Sequence, residues 1–195
     1  MGHVQHRKQI RHFHEPGHLH ELTFSCVHRR PLLTTDARMR MLARCLDQAT
    51  SREHFQLVAF VFMPEHVHLL VNPRGATPNI SRFLARIKQP FSKWIRGTLE
   101  SGSDDDLQNL PVTERQGRKS IRFWQAGPGF DRNIYSREAI EASIHYIHEN
   151  PVRRNLVLQA VDWQWSSARY YLLEPPCQQF AALPHVDGIP EGALD

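Results

Sequence analysis

Two histidines one residue apart, His66 and His68, carry the sharpest chemical signal in the chain. They sit in Phe62-Met63-Pro64-Glu65-His66-Val67-His68-Leu69-Leu70-Val71, a run rich in strand formers. Side chains alternate along a strand, so both imidazoles point to one face while Val67 packs on the other. Two imidazoles side by side on a rigid strand make half of a metal site. A lone His-x-His is also compatible with no metal at all. A second signal lies in Ser143-Ile144-His145-Tyr146-Ile147-His148-Glu149-Asn150-Pro151. Ile140, Ile144 and Ile147 recur at helical spacing and define a core stripe. Tyr146 and Asn150 are one helical turn apart and flank that stripe. Read locally, they are a tyrosine with a hydrogen-bonded hydroxyl and an asparagine closing the helix. Read with the histidines, they are a nucleophile and an amide oxygen that could complete a site for a phosphate-binding divalent ion. The helical HExxH of a zinc protease and the paired cysteines of a zinc deaminase are both absent.

A third feature is the stripe Arg82, Arg86, Lys93 and Arg96, opposite the apolar side of its helix. It could follow a DNA backbone, or it is a solvated face. Phe123, Trp124, Trp163 and Trp165 could stack on bases, but their surroundings read more as core. The net charge is +4. From Glu174 onward there are four acids and no Lys or Arg, which leaves 24 basic against 16 acidic residues before that point. A basic body favours a polyanion as partner. Three scattered cysteines argue against a thiolate metal site, and Cys26 and Cys45 read as small core residues. No long apolar run and no signal-like N-terminus occur, so a cytoplasmic protein without membrane spans is expected.

The elements that must position these groups follow from periodicity and punctuation. Residues 1–18 read as a flexible basic arm, and Leu19–Val27 as a first strand. Thr35 or Asp36 caps a helix running to about His54, buried through Met39, Leu42, Leu46 and Ala49. Phe55–Met63 is almost wholly apolar, which places it at the centre of a sheet beside the strand His66–Val71. Thr77-Pro78-Asn79 opens a second helix to about Thr98, which Pro90 should kink or split. Residues near 101–118 are polar and read as a disordered insertion. A short strand and loop fill Ile121–Ile134. Ser136 caps a third helix that should end near Asn150, before Pro151. Residues 174–195 read as a loose acidic tail containing prolines. The order predicts a single α+β domain over residues 19–173, an antiparallel sheet with helices packed on one face.

The Phe62–Val71 run closely resembles the His-hydrophobic-His motif of the HUH single-tyrosine transposases. Tyr146-Ile147-His148-Glu149-Asn150-Pro151-Val152-Arg153 resembles the tyrosine helix of that family, best its REP-associated branch. Trp163-Gln164-Trp165-Ser166-Ser167 is similar to a run downstream in the same branch, and the likeness extends over roughly residues 10–172. The resemblance implies a ferredoxin-like or RRM-like fold. It implies that Tyr146 attacks a scissile phosphate and keeps the 5′ side as phosphotyrosine. It also implies that His66 and His68 bind Mg²⁺ or Mn²⁺, with Asn150 as third polar ligand. The implied partner is single-stranded DNA bearing hairpins, in the cytoplasm and associated with the nucleoid. The active site could form within one chain or across a homodimer. An alternative is a DNA-binding protein that acts on repeat hairpins without transposing. Two departures stand out: Glu65 occupies a place where relatives often have Asn or Asp, and Arg154-Asn155 one where many have a small residue and glycine.

Overall fold

The computed structural model describes residues 17–75, 77–102, 107, 110, 112–115, 118–127, 129–174 and 182–193. The basic arm expected over residues 1–18 therefore lies outside the described residues, apart from its last two.

Strand β1 (Leu19–Ser25) leads into helix α1 (Asp36–Glu53), then strands β2 (Phe55–Phe62) and β3 (His66–Pro73) and helix α2 (Ile80–Glu100). After the short strands β4 (Val112–Arg115) and β5 (Arg118–Ile121) come β6 (Phe130–Ile134), α3 (Arg137–Arg153) and the short α4 (Ala168–Leu172). β2, β3, β1 and β6 form one sheet in that order, antiparallel throughout. Each long helix starts on the cap its sequence offers. Thr35, Asn79 and Ser136 accept a hydrogen bond from the backbone N–H three residues on, satisfying a donor that the first turn leaves open.

The sheet separates two apolar layers. On one face Leu22, Phe24, Phe60, Phe62, Val67 and Leu69 meet Met39, Leu42 and Leu46 of α1 and Phe83, Ile87 and Phe91 of α2. α1 and α2 thus share one face of the antiparallel sheet, the α+β arrangement the sequence predicts. On the other face Leu19, Val61 and Leu70 meet Ile140, Ile144 and Ile147 of α3, the three isoleucines of the expected stripe. Cys26 and Cys45 are buried free thiols, and Phe123, Trp124 and Trp165 are buried too.

Several local expectations are corrected. β2 is an edge strand, although all eight of its residues are buried. Its outer edge is covered by distant chain: Phe62 N–H donates to Trp165 O at 2.8 Å and Ser167 N–H to Phe60 O at 3.0 Å. Asp187 closes the same edge further along, donating its N–H to Leu57 O and accepting the Leu57 N–H on Oδ2. The tail read as loose is therefore docked over residues 182–193, with Val186 buried against the core. Pro90 does not split α2, which continues through it from Ile80 to Glu100. Pro151 likewise does not end α3, which runs on to Arg153. Asn155 then turns the chain in the left-handed conformation, φ 54°, where asparagine is tolerated. The segment read as a disordered insertion holds β4, which pairs antiparallel with β5 at and just beyond its end, in register from Val112↔Ile121 to Arg115↔Arg118.

Candidate active site

Register places both histidines on the α3 side of the sheet. His68 lies opposite Thr23 on β1 and Val61 on β2, and His66 lies opposite Ser25. The two rings meet edge to face with centroids 4.6 Å apart, and their Nε2 atoms are 2.9 Å apart. The two Nδ1 atoms face other groups. That of His68 shares a hydrogen bond with Thr23 Oγ1 at 2.8 Å, and that of His66 lies 3.1 Å from Glu65 Oε1. Glu65 is itself held by Arg154 at 2.9 Å. The Thr23 bond orients the far nitrogen of His68, which fixes a ligating ring.

The electrostatics favour the ligand form of both rings. Burial, then the neighbouring His66 and Arg29, push His68 down to about 3. Burial also lowers His66, against the opposing pull of Glu65. Neutral imidazoles present a lone pair, which a metal requires. Two nitrogens about 2.1 Å from one cation at a right angle stand about 3 Å apart, close to the spacing of the Nε2 pair. The residues present fit a divalent ion. Among the described residues no group of three or more His, Cys, Asp and Glu is placed to hold a metal. Among the described residues a further protein ligand would then be an amide, a hydroxyl or a backbone carbonyl.

Helix α3 brings the phenol to this pair. The Tyr146 ring stands perpendicular to that of His68 with centroids 5.5 Å apart, and Tyr146 is 38 % exposed. The guanidinium of Arg153, two turns on, lies 5.2 Å from the Tyr146 ring centroid, within cation–π range. Asn150 is buried, and its Nδ2 donates to Tyr146 O at 2.9 Å, so its Oδ1 is the atom it could offer a cation. The helix is pinned by polar contacts as well as by its isoleucines. Ser143 Oγ donates to Glu21 Oε2 at 2.9 Å, and His148 Nε2 meets Ser167 Oγ at 2.8 Å. Burial keeps His148 neutral, lowering it to about 4. The spatial meeting that the sequence reading needs, strand imidazoles against a helix phenol, occurs within a single chain.

The other predicted site residues are elsewhere. Arg82, Arg86, Lys93 and Arg96 are exposed, but α2 packs on the opposite face of the sheet from the histidines. Arg82 and Arg86 both bind the carboxylate of Glu53, whose side chain is only 3 % exposed. Burial alone would raise that carboxyl, but the hydrogen bonds and charges of the two arginines hold it below its usual value. Sequence reasoning missed the cations that do surround the histidines: Arg29, Arg153 and Arg154, all exposed. Arg153 and Arg154 could have been found by continuing α3 past Pro151. Arg29 sits at a positive φ of 51° just after β1, and no spacing rule marks it.

Comparison with known proteins bears on the family and the fold. Residues 17–150 match the family described as "Transposase IS200 like". A Haemophilus influenzae protein named as a REP-associated tyrosine transposase is 25 % identical over 113 residues. That match covers 58 % of each chain, so the chain spans a little over half the length of the curated relative it matches. A solved REP-associated tyrosine transposase bound to a REP hairpin superposes with a TM-score of 0.65 at 20 % identity, over 97 % of this chain and 98 % of that one. At that identity the likeness concerns the fold.

Proposed function

The chain belongs to the IS200-like transposase family, and from that premise we propose that it cleaves and rejoins single-stranded, hairpin-bearing DNA through a covalent 5′-phosphotyrosine on Tyr146. The observation that carries this reading is the perpendicular contact of the Tyr146 and His68 rings on one sheet face, 5.5 Å between centroids. His66, His68 and the Asn150 amide would hold Mg²⁺ or Mn²⁺. When bound, the ion polarises phosphate oxygens and offsets the charge that builds in the transition state.

The chain's own residues do the rest. A free phenol has a pKa of about 10 and is a weak nucleophile at neutral pH, so positioning carries much of the rate. The contacts of α3 to Glu21 and Ser167 hold the helix that presents the phenol. That oxygen attacks phosphorus, the phosphorus–O3′ bond breaks, and the phenol's proton leaves as the 3′-hydroxyl gains one. The phosphodiester energy is retained in the tyrosine ester, and attack by a 3′-hydroxyl reverses the step without ATP. Arg29, Arg153 and Arg154 would hold flanking phosphates, while Arg82, Arg86, Lys93 and Arg96 would carry more distant DNA across the other face. In this proposal the histidine pair and Tyr146 of one chain act together, and a homodimer remains compatible with it. Among the described residues no helix is long and apolar enough to cross a membrane. A nucleoid-associated place in the cytoplasm is part of this proposal.

The test is a covalent adduct. Incubated with hairpin-bearing single-stranded oligonucleotides and Mn²⁺, the protein should give a band of protein-linked DNA on denaturing gels. Tyr146→Phe should abolish that band, and EDTA should prevent it. Binding with no adduct would favour a host DNA-binding protein that does not transpose. Cleavage that survives Tyr146→Phe would end the proposal.

A further inference from the structure

The histidine face extends beyond the histidines. Phe130 opens β6 and is 50 % exposed. It pairs in register with Thr23, and Thr23 pairs with His68. The three residues form one row across neighbouring strands. With strands about 4.8 Å apart, the backbone of Phe130 lies about 10 Å from that of His68. The floor between them is made of small side chains. Thr23 and Ser25 on β1 are only half-buried, because α3 crosses β1 further along, where Ser143 meets Glu21. A shallow trough therefore runs from the imidazoles to the Phe130 ring.

The backbone that presents the ring is set by its neighbour. Gly129 has φ +84°, and a Cβ there would come within 2.2 Å of Thr23 O. Only glycine lets the incoming loop press this closely on β1 just before Phe130 emerges. Among the described residues Phe130 makes no ring contact of its own, whereas Phe123 and Trp124 stack within the core. Positive charge surrounds the trough: Arg153 and Arg154 past the histidines, and Arg132 two residues along β6, bound to Glu21 and half exposed. An exposed aromatic ring beside cations suits a single-stranded nucleotide, its base stacked and its phosphates paired.

We propose that Phe130 is the stacking platform for an unpaired base next to the scissile phosphate, with Thr23 and Ser25 as the floor beneath the sugar and backbone. This subsite rests on the nuclease reading of the histidine–tyrosine pair, but it is tested by binding alone. The probes are (dT)12 and an abasic 12-mer with the same sugar-phosphate backbone, compared in metal-free buffer by fluorescence anisotropy. Wild type should prefer (dT)12. Phe130→Ala should weaken (dT)12 binding about tenfold and leave the abasic strand nearly unchanged, while Phe130→Trp should keep the preference. Equal losses for both strands, or no loss for either, would overturn the proposal. So would loss of self-association in Phe130→Ala with both affinities intact, which would assign the ring to a protein interface. The adduct assay is scored separately. A wild type that forms no adduct but shows the base preference defeats the nuclease reading and leaves the platform standing. An active wild type with no Phe130-dependent preference does the reverse.

Discussion

The two faces of the sheet are built from alternate residues of the same strands, yet they are different materials. On the α1/α2 face, β3 contributes Val67, Leu69 and Val71 to a continuous aromatic and aliphatic core. On the α3 face it contributes His66 and His68, then Leu70. Around Leu70 the α3 face is packed by isoleucines, and toward His66 it becomes polar, half-open and flanked by arginines. One face carries the stability, so the other can hold two buried imidazoles and an uncovered trough. This division separates folding from chemistry at the resolution of a single residue.

The sharpest way to break that comparison is to truncate neighbours. His68→Ala should lower adduct formation by about a thousandfold or more and leave the fold intact, as read by circular dichroism and thermal melting. Leu69→Ala, one residue on and fully buried, should cost about 2–5 kcal/mol in urea denaturation while the residual folded protein keeps its activity. Equal effects on both readouts would show that the faces are not separable.

A smaller effect is expected at Gly129, just before β6. Gly129→Ala forces a side chain into both a left-handed backbone and the Thr23 carbonyl. It should cost about 1–3 kcal/mol and reduce (dT)12 binding along with stability, since the strain falls on the segment that presents Phe130.

The two sets of cations should differ in kind. Arg153→Ala combined with Arg29→Ala should slow adduct formation about tenfold or more. Lys93→Ala with Arg96→Ala, on the far face, should weaken binding evenly across sequences and reduce the salt slope by about one per charge removed, with the rate on bound DNA unchanged. A rate defect from the α2 pair would mean that DNA links the faces more tightly than their placement implies.

The smallest effect belongs to Glu53, buried beneath Arg82 and Arg86. Its carboxyl titrates below its ordinary value when folded. The stabilisation is therefore full above the ordinary carboxylate range and is lost as pH falls through the lowered value. Glu53→Gln should reduce the melting temperature by a few degrees at pH 7, about 3 °C, and should narrow the gap to wild type in acid. A gap that widens in acid would reverse the assignment.

What the sequence by itself determined was local. Alternation put His66 and His68 on one side of a strand, and a 3.6-residue period put Tyr146 beside Ile144 and Ile147. Thr35, Asn79 and Ser136 marked where helices begin because an N-cap acts within three residues of itself. The likeness of the two motifs to a transposase family added that strand and helix should meet. The tertiary structure decided what no short window contains. It set α3 on the histidine face while α1 and α2 took the other. It buried β2 at an edge by laying Trp165, Ser167 and Asp187 along it, so an apolar run that reads as central is not central. It gathered Arg29, Arg153, Arg154 and Phe130 from three separate segments around one trough. Capping and periodicity are set by bonds between near neighbours. Which face a helix covers, and which strand lies outermost, is settled by burying apolar surface between segments a hundred residues apart.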